Sequence, residues 1–340
     1  MKIGIIISPE RKTEKIISAI KEYDVEFEII NILDDNWEKS FQKTLDGYLI
    51  YPPSFPEIWK QIFLKRLILL EEILKGKALP SVESIMIYES KISMLDYFKI
   101  NNLPFINSHT FFNYSEAIEY GKKCNLPVVL KEDAGSGALG VNIINSRRKL
   151  LLLIKKSFFI SSKVRKSGFK TLKKSFKAHL YPYKIFFDSS KSYLPKSQAS
   201  SGYIHVQDFL AIRFEWRIIK IGNSYFGHKK LEDMQGYHSG SLNKEWGPVS
   251  FELLNLVKKW ATQLDLESMC FDIFEDYEGN YYINELQVMF GTSTEHQLVI
   301  NDMPGRYVYE NKWKFEEGDF ARNGCNNLRI QTLIEKIQYI

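Results

Sequence analysis

The chain has 340 residues, 44 % of them hydrophobic and 26 % charged, which excludes a disordered or fibrous chain and allows two or three structural units with sizeable cores. A net charge of +5 is too modest to mark a nucleic-acid binder by itself, and no apolar run approaches the length of a membrane span. Cys124, Cys270 and Cys325 have neither metal-ligand spacing nor an even count to pair, so reduced thiols in a cytoplasmic protein are expected.

The N-terminal MKIGIIISPERK carries five apolar residues before it turns polar and basic, which predicts a buried first strand rather than a signal peptide. TEKIISAIKEY reads as an amphipathic helix, FEIINI as a second strand, DGYLIYP as a third, and PEIWKQIFLKRLILLEEILKG as one long amphipathic stretch. Such alternation predicts a small parallel α/β unit. ESKISMLDYFKINNLP then reads as a helix closed by Asn101-Asn102 and stopped by Pro104, and SEAIEYGKKCNLP repeats the pattern up to Pro127. PVVLKE follows as a buried strand.

GSGALG, Gly135 to Gly140, matches the dinucleotide pattern G-x-G-x-x-G only as a string of letters. That fingerprint needs a following helix and an acid about twenty residues later. Here a β-branched strand, VNII, follows instead, and the region beyond is basic. The context predicts a flexible glycine hairpin whose backbone amides can close over phosphates, with Lys131 just before it as a point charge.

Between Lys155 and Lys196 the chain carries twelve Lys or Arg against the single acid Asp188, interleaved with Phe and Tyr. Such a segment suits an acidic ligand. Because Lys outnumbers Arg, a solvated helix and loop is favoured over nucleic acid. A Ser/Tyr/Pro-rich stretch from about 181 to 203 is expected to be a loop or insertion. YIHVQDFLA and EWRIIKIGNSYFGHKKL read as strands, the latter a hairpin turning at Gly222-Asn223. Residues 251 to 264 show helical spacing through Phe251, Leu254, Ala261 and Leu264, widened by Val257 and Trp260, a stripe expected to be core.

FDIFEDYEGNYYINELQ, residues 271 to 287, reads as two strands around an acidic turn. If the turn centres on Glu278-Gly279, Asp272 lies opposite Glu285 on the same face, and Gln287 points the same way as Glu285. Opposed carboxylates repel, a cost most readily accepted where a divalent cation sits between them. Taken alone, a solvated face with scattered acids is the simpler explanation.

A strand-borne lysine, a glycine hairpin, a strand ending in VQDFL, a strand EWRI and the acidic hairpin DIF…NELQ follow one another in an order that resembles the ATP-grasp superfamily. The resemblance runs from about Glu89 to Gly291, and the N-terminal α/β unit resembles the domain that precedes that fold. It implies an α/β (α+β) architecture: a pre-ATP-grasp domain over 1–88, a small subdomain over 89–205 with the basic insertion at about 155–200, and a C-terminal subdomain over 206–340. By resemblance, Lys91 and Lys131 contact nucleotide, and Gly135, Ser136, Gly137 and Gly140 form the loop over the β- and γ-phosphates. Gln207, Asp208, Phe209 and Leu210 form the hinge that reads adenine. Glu215 meets the ribose or fixes neighbours, Arg217 faces phosphate or substrate, and Lys229 or Lys230 lies near the transferred phosphate. Asp272 and Glu285 match the ligands of two Mg²⁺ ions. The usual third ligand is Asn; here it is Gln287, which keeps the carbonyl oxygen but reaches one methylene farther.

GYHSGSL and ELQVMFGTS resemble the branch associated with surface-polysaccharide or peptide modification, with His238, Ser239, Gly240 and Ser241 as substrate-contact candidates. His205 and His228 are expected to be polar strand residues, and His238 a candidate for proton transfer. The resemblance implies a ligase that activates a small-molecule or peptide carboxylate with Mg·ATP and joins it to an amine or thiol acceptor; a homodimer is an allowed assembly. A small-molecule kinase with the same ATP site is the first alternative. A non-catalytic nucleotide- or nucleic-acid-binding protein is the second.

Overall fold

A computed structural model describes residues 1–54, 56–133, 140–159, 202–231, 243–290 and 294–338. The glycines and serine at 135–137, most of the basic insertion, and the segment 238–241 lie outside the described residues. The chain divides into two compact units, Met1–Ile106 with Leu210–Ile340, and Asn107–Asp133 with Leu139–Phe209.

The first unit begins with β1 (Lys2–Ile7), α1 (Glu14–Ile20), β2 (Glu26–Asn31), β3 (Gly47–Ile50), α2 (Glu57–Leu69), α3 (Glu71–Leu74), β4 (Ala78–Leu79), α4 (Val82–Met86) and α5 (Lys91–Ile100). Its strands form a parallel sheet in the order β2-β1-β3-β4. Ile3, Ile5, Ile6 and Ile7 of β1 are all buried, as expected for a central parallel strand covered on both faces. The stretch expected as one amphipathic run is instead two helices, interrupted at Leu70, which leaves the helical region at φ −99°, ψ 8°.

The second unit is an antiparallel sheet of β5 (Ser108–Phe111), β6 (Val128–Lys131), β7 (Val141–Ile144) and β8 (Ile204–Asp208), in the order β5-β8-β6-β7, with α6 (Tyr114–Lys123) and α7 (Arg147–Phe159). β6 and β7 pair antiparallel with Lys131 opposite Val141, so the glycine segment does join two strands of one hairpin. Val128, Leu130, Ile144, Ile154, Ile204 and Val206 form its core.

The chain returns to the first unit with β9 (Ile212–Ile221), β10 (Ser224–Lys230), β11 (Lys244–Glu245), α8 (Phe251–Gln263), β12 (Ser268–Asp276), β13 (Tyr281–Gln287), β14 (Val299–Ile300), β15 (Met303–Glu310), β16 (Lys312–Glu317) and α9 (Asn326–Gln338). The strands make a second, antiparallel sheet whose path runs β13-β12-β9-β10-β15-β14. The β9-β10 turn falls at Gly222-Asn223 as expected. Gly222 sits at φ +52°, and a Cβ there would meet Thr332 Oγ1 at 2.7 Å, so the turn needs glycine on both counts. α8 is capped by the Ser250 hydroxyl, which accepts from Leu253 N at 3.2 Å. It buries Leu253, Leu254, Val257, Trp260 and Ala261, whereas Phe251, expected in that stripe, is exposed at the first helical position. α9 packs on the parallel sheet, with Ile330 and Leu333 in one core with Ile3, Ile5 and Leu49. Among the described residues no helix is long and apolar enough to cross a membrane.

Candidate active site

The acidic hairpin pairs as the sequence suggests, by a route it does not show. From the turn inward, Glu275 faces Tyr281, Phe274 faces Tyr282 and Ile273 faces Ile283. A β-bulge at Asn284 then shifts the register by one, so that Asp272 meets Glu285 and Cys270 meets Gln287. Without the extra residue Asp272 would face Asn284. The bulge also explains the burial pattern, in which buried Ile283 and buried Leu286 are three residues apart rather than two.

On β9, Arg217 faces Asp272 across one edge and His228 of β10 across the other; Glu215 faces Lys230. Partners in register share a face, which collects these side chains on one side of the sheet. Arg217 donates Nε and an Nη to Asp272 at 2.9 and 2.8 Å, a bidentate pair. Lys230 Nζ lies 2.6 Å from Asp272 Oδ2 and 2.6 Å from Glu215 Oε1. Asp272, Glu215 and Lys230 are all buried. Two cations and two carboxylates thus cancel in a low-dielectric setting, the condition under which buried charges persist. Burial pushes the Asp272 carboxyl up, but Arg217 and Lys230 outweigh it and hold the group well below the usual carboxylate range. Lys230 is likewise opposed by burial and raised by Asp272 and Glu215.

Lys229 does not join this cluster. Side chains alternate along a strand, so it points to the other face, where its Nζ pairs with Glu245 at 2.6 Å and lies 4.0 Å from the Phe214 ring centroid. Of the two lysines considered from sequence, Lys230 is the one beside Asp272.

Glu285 is different from its partner. Its carboxylate makes no hydrogen bond or ion pair among the described residues, and Gln287 Oε1 is only 3.5 Å from an Arg217 Nη. Near it stands a carboxylate that sequence reasoning assigned no role, Glu89. Burial and the charge of Glu285 raise the Glu89 carboxyl to about 7. Its backbone is left-handed, φ 55°, and Lys60 Nζ donates to its carbonyl at 2.7 Å. In sequence Glu89 directly precedes Ser90, the residue that caps α5 and presents Lys91 at the first helical position, but nothing local marks it as a neighbour of Glu285.

These donors fit magnesium only in part. Mg²⁺ takes oxygen from one or two carboxylates and otherwise from phosphates and water. Glu285 meets that requirement as it stands, with the Gln287 amide oxygen beside it. Asp272 meets it only if Arg217 and Lys230 release it. Among the described residues no group of three or more His, Cys, Asp or Glu is placed to hold a metal. Cys270 lies on the same face, but burial pushes its thiol to about 12, so it is no nucleophile at neutral pH.

In the second unit, Lys131 ends β6 opposite His205, and His205 Nδ1 lies 2.8 Å from Thr110 Oγ1. Gly140 closes the hairpin by accepting from Glu132 N at 3.0 Å. At φ +77°, with a Cβ bound to meet Glu132 Cβ at 2.9 Å, that position needs glycine. Gln207 Nε2 donates to Ser108 Oγ at 3.2 Å, and Asp208 accepts from Asn107 Nδ2 at 2.8 Å. Both polar side chains are therefore engaged within the unit, while Phe209 is exposed. Leu210 begins the return to the first unit.

No protein-family model and no curated protein matches this chain. Among solved structures it is similar to an ATP-grasp RimK-domain protein from Sphaerobacter thermophilus, at 11 % identity over 85 % of this chain and 92 % of that one, with TM-score 0.53. It is similar to D-alanine–D-alanine ligase from Bacillus anthracis, at 12 % identity over 100 % and 98 %, with TM-score 0.55. It is also similar to N5-carboxyaminoimidazole synthetase from Staphylococcus aureus in complex with ADP, at 14 % identity over 86 % and 71 %, with TM-score 0.53. Identities this low bear on architecture. The chain has the mixed α/β fold of the ATP-grasp superfamily, the fold that its ordered motifs imply.

Proposed function

We propose that the protein is an Mg·ATP-dependent ligase that activates a carboxylate as an acyl phosphate and joins it to an amine or thiol acceptor. The observation that carries this reading is the largely buried Arg217-Asp272-Lys230-Glu215 cluster set beside Glu285, whose carboxylate makes no hydrogen bond or ion pair among the described residues. A carboxylate attacking the γ-phosphoryl group of ATP brings two anions together, so the reaction needs positive charge already fixed in place. Arg217 and Lys230, on adjacent strands, would supply it once released from Asp272. Asp272 would join Glu285 and Gln287 in holding magnesium only where Arg217 and Lys230 pair with phosphate oxygens in its place. Magnesium, if held by these residues, would supply further neutralisation of the phosphate charge.

Lys91, Lys131, Gly140, Gln207, Asp208, Phe209 and Leu210 are assigned to the nucleotide on the strength of the motif order, with Glu215 holding Lys230 in place. The test is a metabolite-pool screen for Mg·ATP-dependent ADP release with mass spectrometry of the product. Release of inorganic phosphate with a condensed product supports the ligase. A stable phosphorylated product would make the protein a kinase instead, and steep salt-dependent RNA binding without ADP release would make it a nucleic-acid binder.

A further inference from the structure

One row of side chains crosses four neighbouring strands in register: Glu285 on β13, Asp272 on β12, Arg217 on β9 and His228 on β10. His228 therefore shares the face of the charged cluster and ends the row on the side away from Glu285. Its ring is 1 % exposed. Nδ1 lies 3.1 Å from the backbone carbonyl oxygen of Gln297. A carbonyl only accepts, so Nδ1 carries the proton and the neutral ring keeps its bare lone pair on Nε2. Burial lowers the ring to about 4, with Arg217 and Lys244 adding to the fall, so it is neutral at pH 7.

Nε2 is buried and has no hydrogen-bond partner among the described residues. Leaving such an atom unsatisfied is unfavourable, because the hydrogen bond it would make to water is lost and not replaced. Packing does not demand it: Phe226, two residues earlier on the same face of β10, is fully buried, so this strand accepts an apolar aromatic ring. Trp246 packs edge-on against His228, its ring centroid 5.2 Å away, and makes no hydrogen bond to that lone pair. A buried acceptor kept at a cost, at the end of a row of reactive-site residues, is what a ligand donor would satisfy.

We propose that His228 is a substrate-binding residue whose Nε2 accepts a hydrogen bond from an N–H or O–H group of the nucleophile that receives the activated acyl group. The inference rests on the ligase reading for the role of that ligand. A bare lone pair excludes carboxylate and phosphate oxygens, which only accept. Burial is the main reason imidazolium is disfavoured here, with Arg217 and Lys244 adding to it and Asp272 opposing, and the same burial disfavours an ammonium ion at that point. The acceptor therefore binds uncharged, as a free amine, an amide or a hydroxyl. A thiol is a weak donor and fits least well. For an amine, one N–H is held by His228 while the nitrogen lone pair remains available to attack.

The test uses the full chain labelled with ¹⁵N-histidine, and hydroxylamine as an uncharged donor nucleophile. Long-range ¹H–¹⁵N spectra, assigned with His228→Phe or by sequential histidine substitution, should show His228 protonated on Nδ1 alone. Hydroxylamine should move the Nε2 resonance saturably toward the hydrogen-bonded position. An Nε2-protonated ring, or an Nε2 resonance that hydroxylamine does not move, overturns the proposal whether or not nucleotide binds. In hydroxylamine-dependent ADP release, His228→Phe should raise the KM for hydroxylamine about tenfold, the scale of one lost hydrogen bond, while His228→Gln, which retains an acceptor, stays within about threefold. Equal KM values for the two variants and the wild type overturn it as well. Loss of ADP release with the resonance shift intact defeats the ligase reading but supports donor binding at His228.

Discussion

Asp272 and Glu285 face each other across one ladder and yet hold opposite places in the energetics of the fold. Asp272 is bonded on both oxygens, so Asp272→Asn leaves buried Lys230 and partly buried Arg217 without their shared counter-ion. Denaturant melts of that variant should show a loss of about 3–5 kcal/mol. Among the described residues Glu285 makes no such bonds, so Glu285→Ala should keep stability within about 1 kcal/mol while abolishing ADP release. Near-normal turnover by a folded Glu285→Ala protein would remove the metal assignment. Glu89 gives a pH signature. Its carboxyl is raised from 4.5 to about 7 in the folded state, so the folded chain holds a proton that the unfolded chain has lost. Its contribution is present below about pH 4.5 and is lost as pH rises through about 7, on the order of 3 kcal/mol in all. His228, depressed from 6.5 to about 4, acts in the opposite sense, with stability present above 6.5 and lost as pH falls through 4. The difference between wild type and Glu89→Gln isolates the first effect: wild-type stability should drop relative to the variant between pH 4.5 and 7. Parallel pH profiles would refute it. Of these residues, Asp272 and Glu285 were legible from type and spacing. Glu89 was not, because its neighbour Glu285 is nearly two hundred positions away in sequence.

At the scale of elements, alternation and capping were the readable signals, and local irregularities were not. The Gly222-Asn223 turn, the β6-β7 hairpin and the helix after Ser250 all follow from short-range pattern. Ser250→Ala removes the bond to Leu253 N and should cost about 1 kcal/mol in melting experiments while leaving ADP release per folded molecule unchanged. An unchanged midpoint would mean that water caps this helix equally well. The bulge at Asn284 had no such signal, since an extra residue in a strand looks like any other residue. A two-residue centre at Glu278-Gly279 predicted the right partners for Asp272 by assuming a regular hairpin. The molecule reaches the same pairing with a turn centred one half-step earlier and a bulge that restores the register. Lys229 and Lys230 were likewise equivalent as letters, and only the pairing of β10 with β9 shows which faces the acids.

At the scale of the whole molecule, the last helix completes the first sheet. Ile330 and Leu333 of α9 share a core with Ile3, Ile5 and Leu49, Tyr51 donates to Asn326, and Tyr23 donates to the Asn327 carbonyl. Arg329 is buried beneath, its guanidinium 4.4 Å from the Phe290 ring centroid. Ending the chain at Cys325 should therefore expose the α1 side of the parallel sheet and abolish its cooperative unfolding. Hydrogen exchange at Ile3–Ile7 reads this directly, and protection equal to the full chain would show that the sheet stands without α9. Such a pairing of first and last segments has no local signature, because hydrophobic periodicity marks which face of a helix is buried and not what covers it.

By itself the sequence determined the alternation of elements, the order of lysine, glycine hairpin, hinge and acidic hairpin, and the residue types able to bind nucleotide and metal. Those properties depend on neighbours a few positions apart. Tertiary structure alone decided that Asp272 is held by Arg217 and Lys230, that Glu89 stands near Glu285, and that His228 turns a bare nitrogen into the interior. Charge pairing, burial and tautomer are set by groups that meet only when distant strands lie side by side.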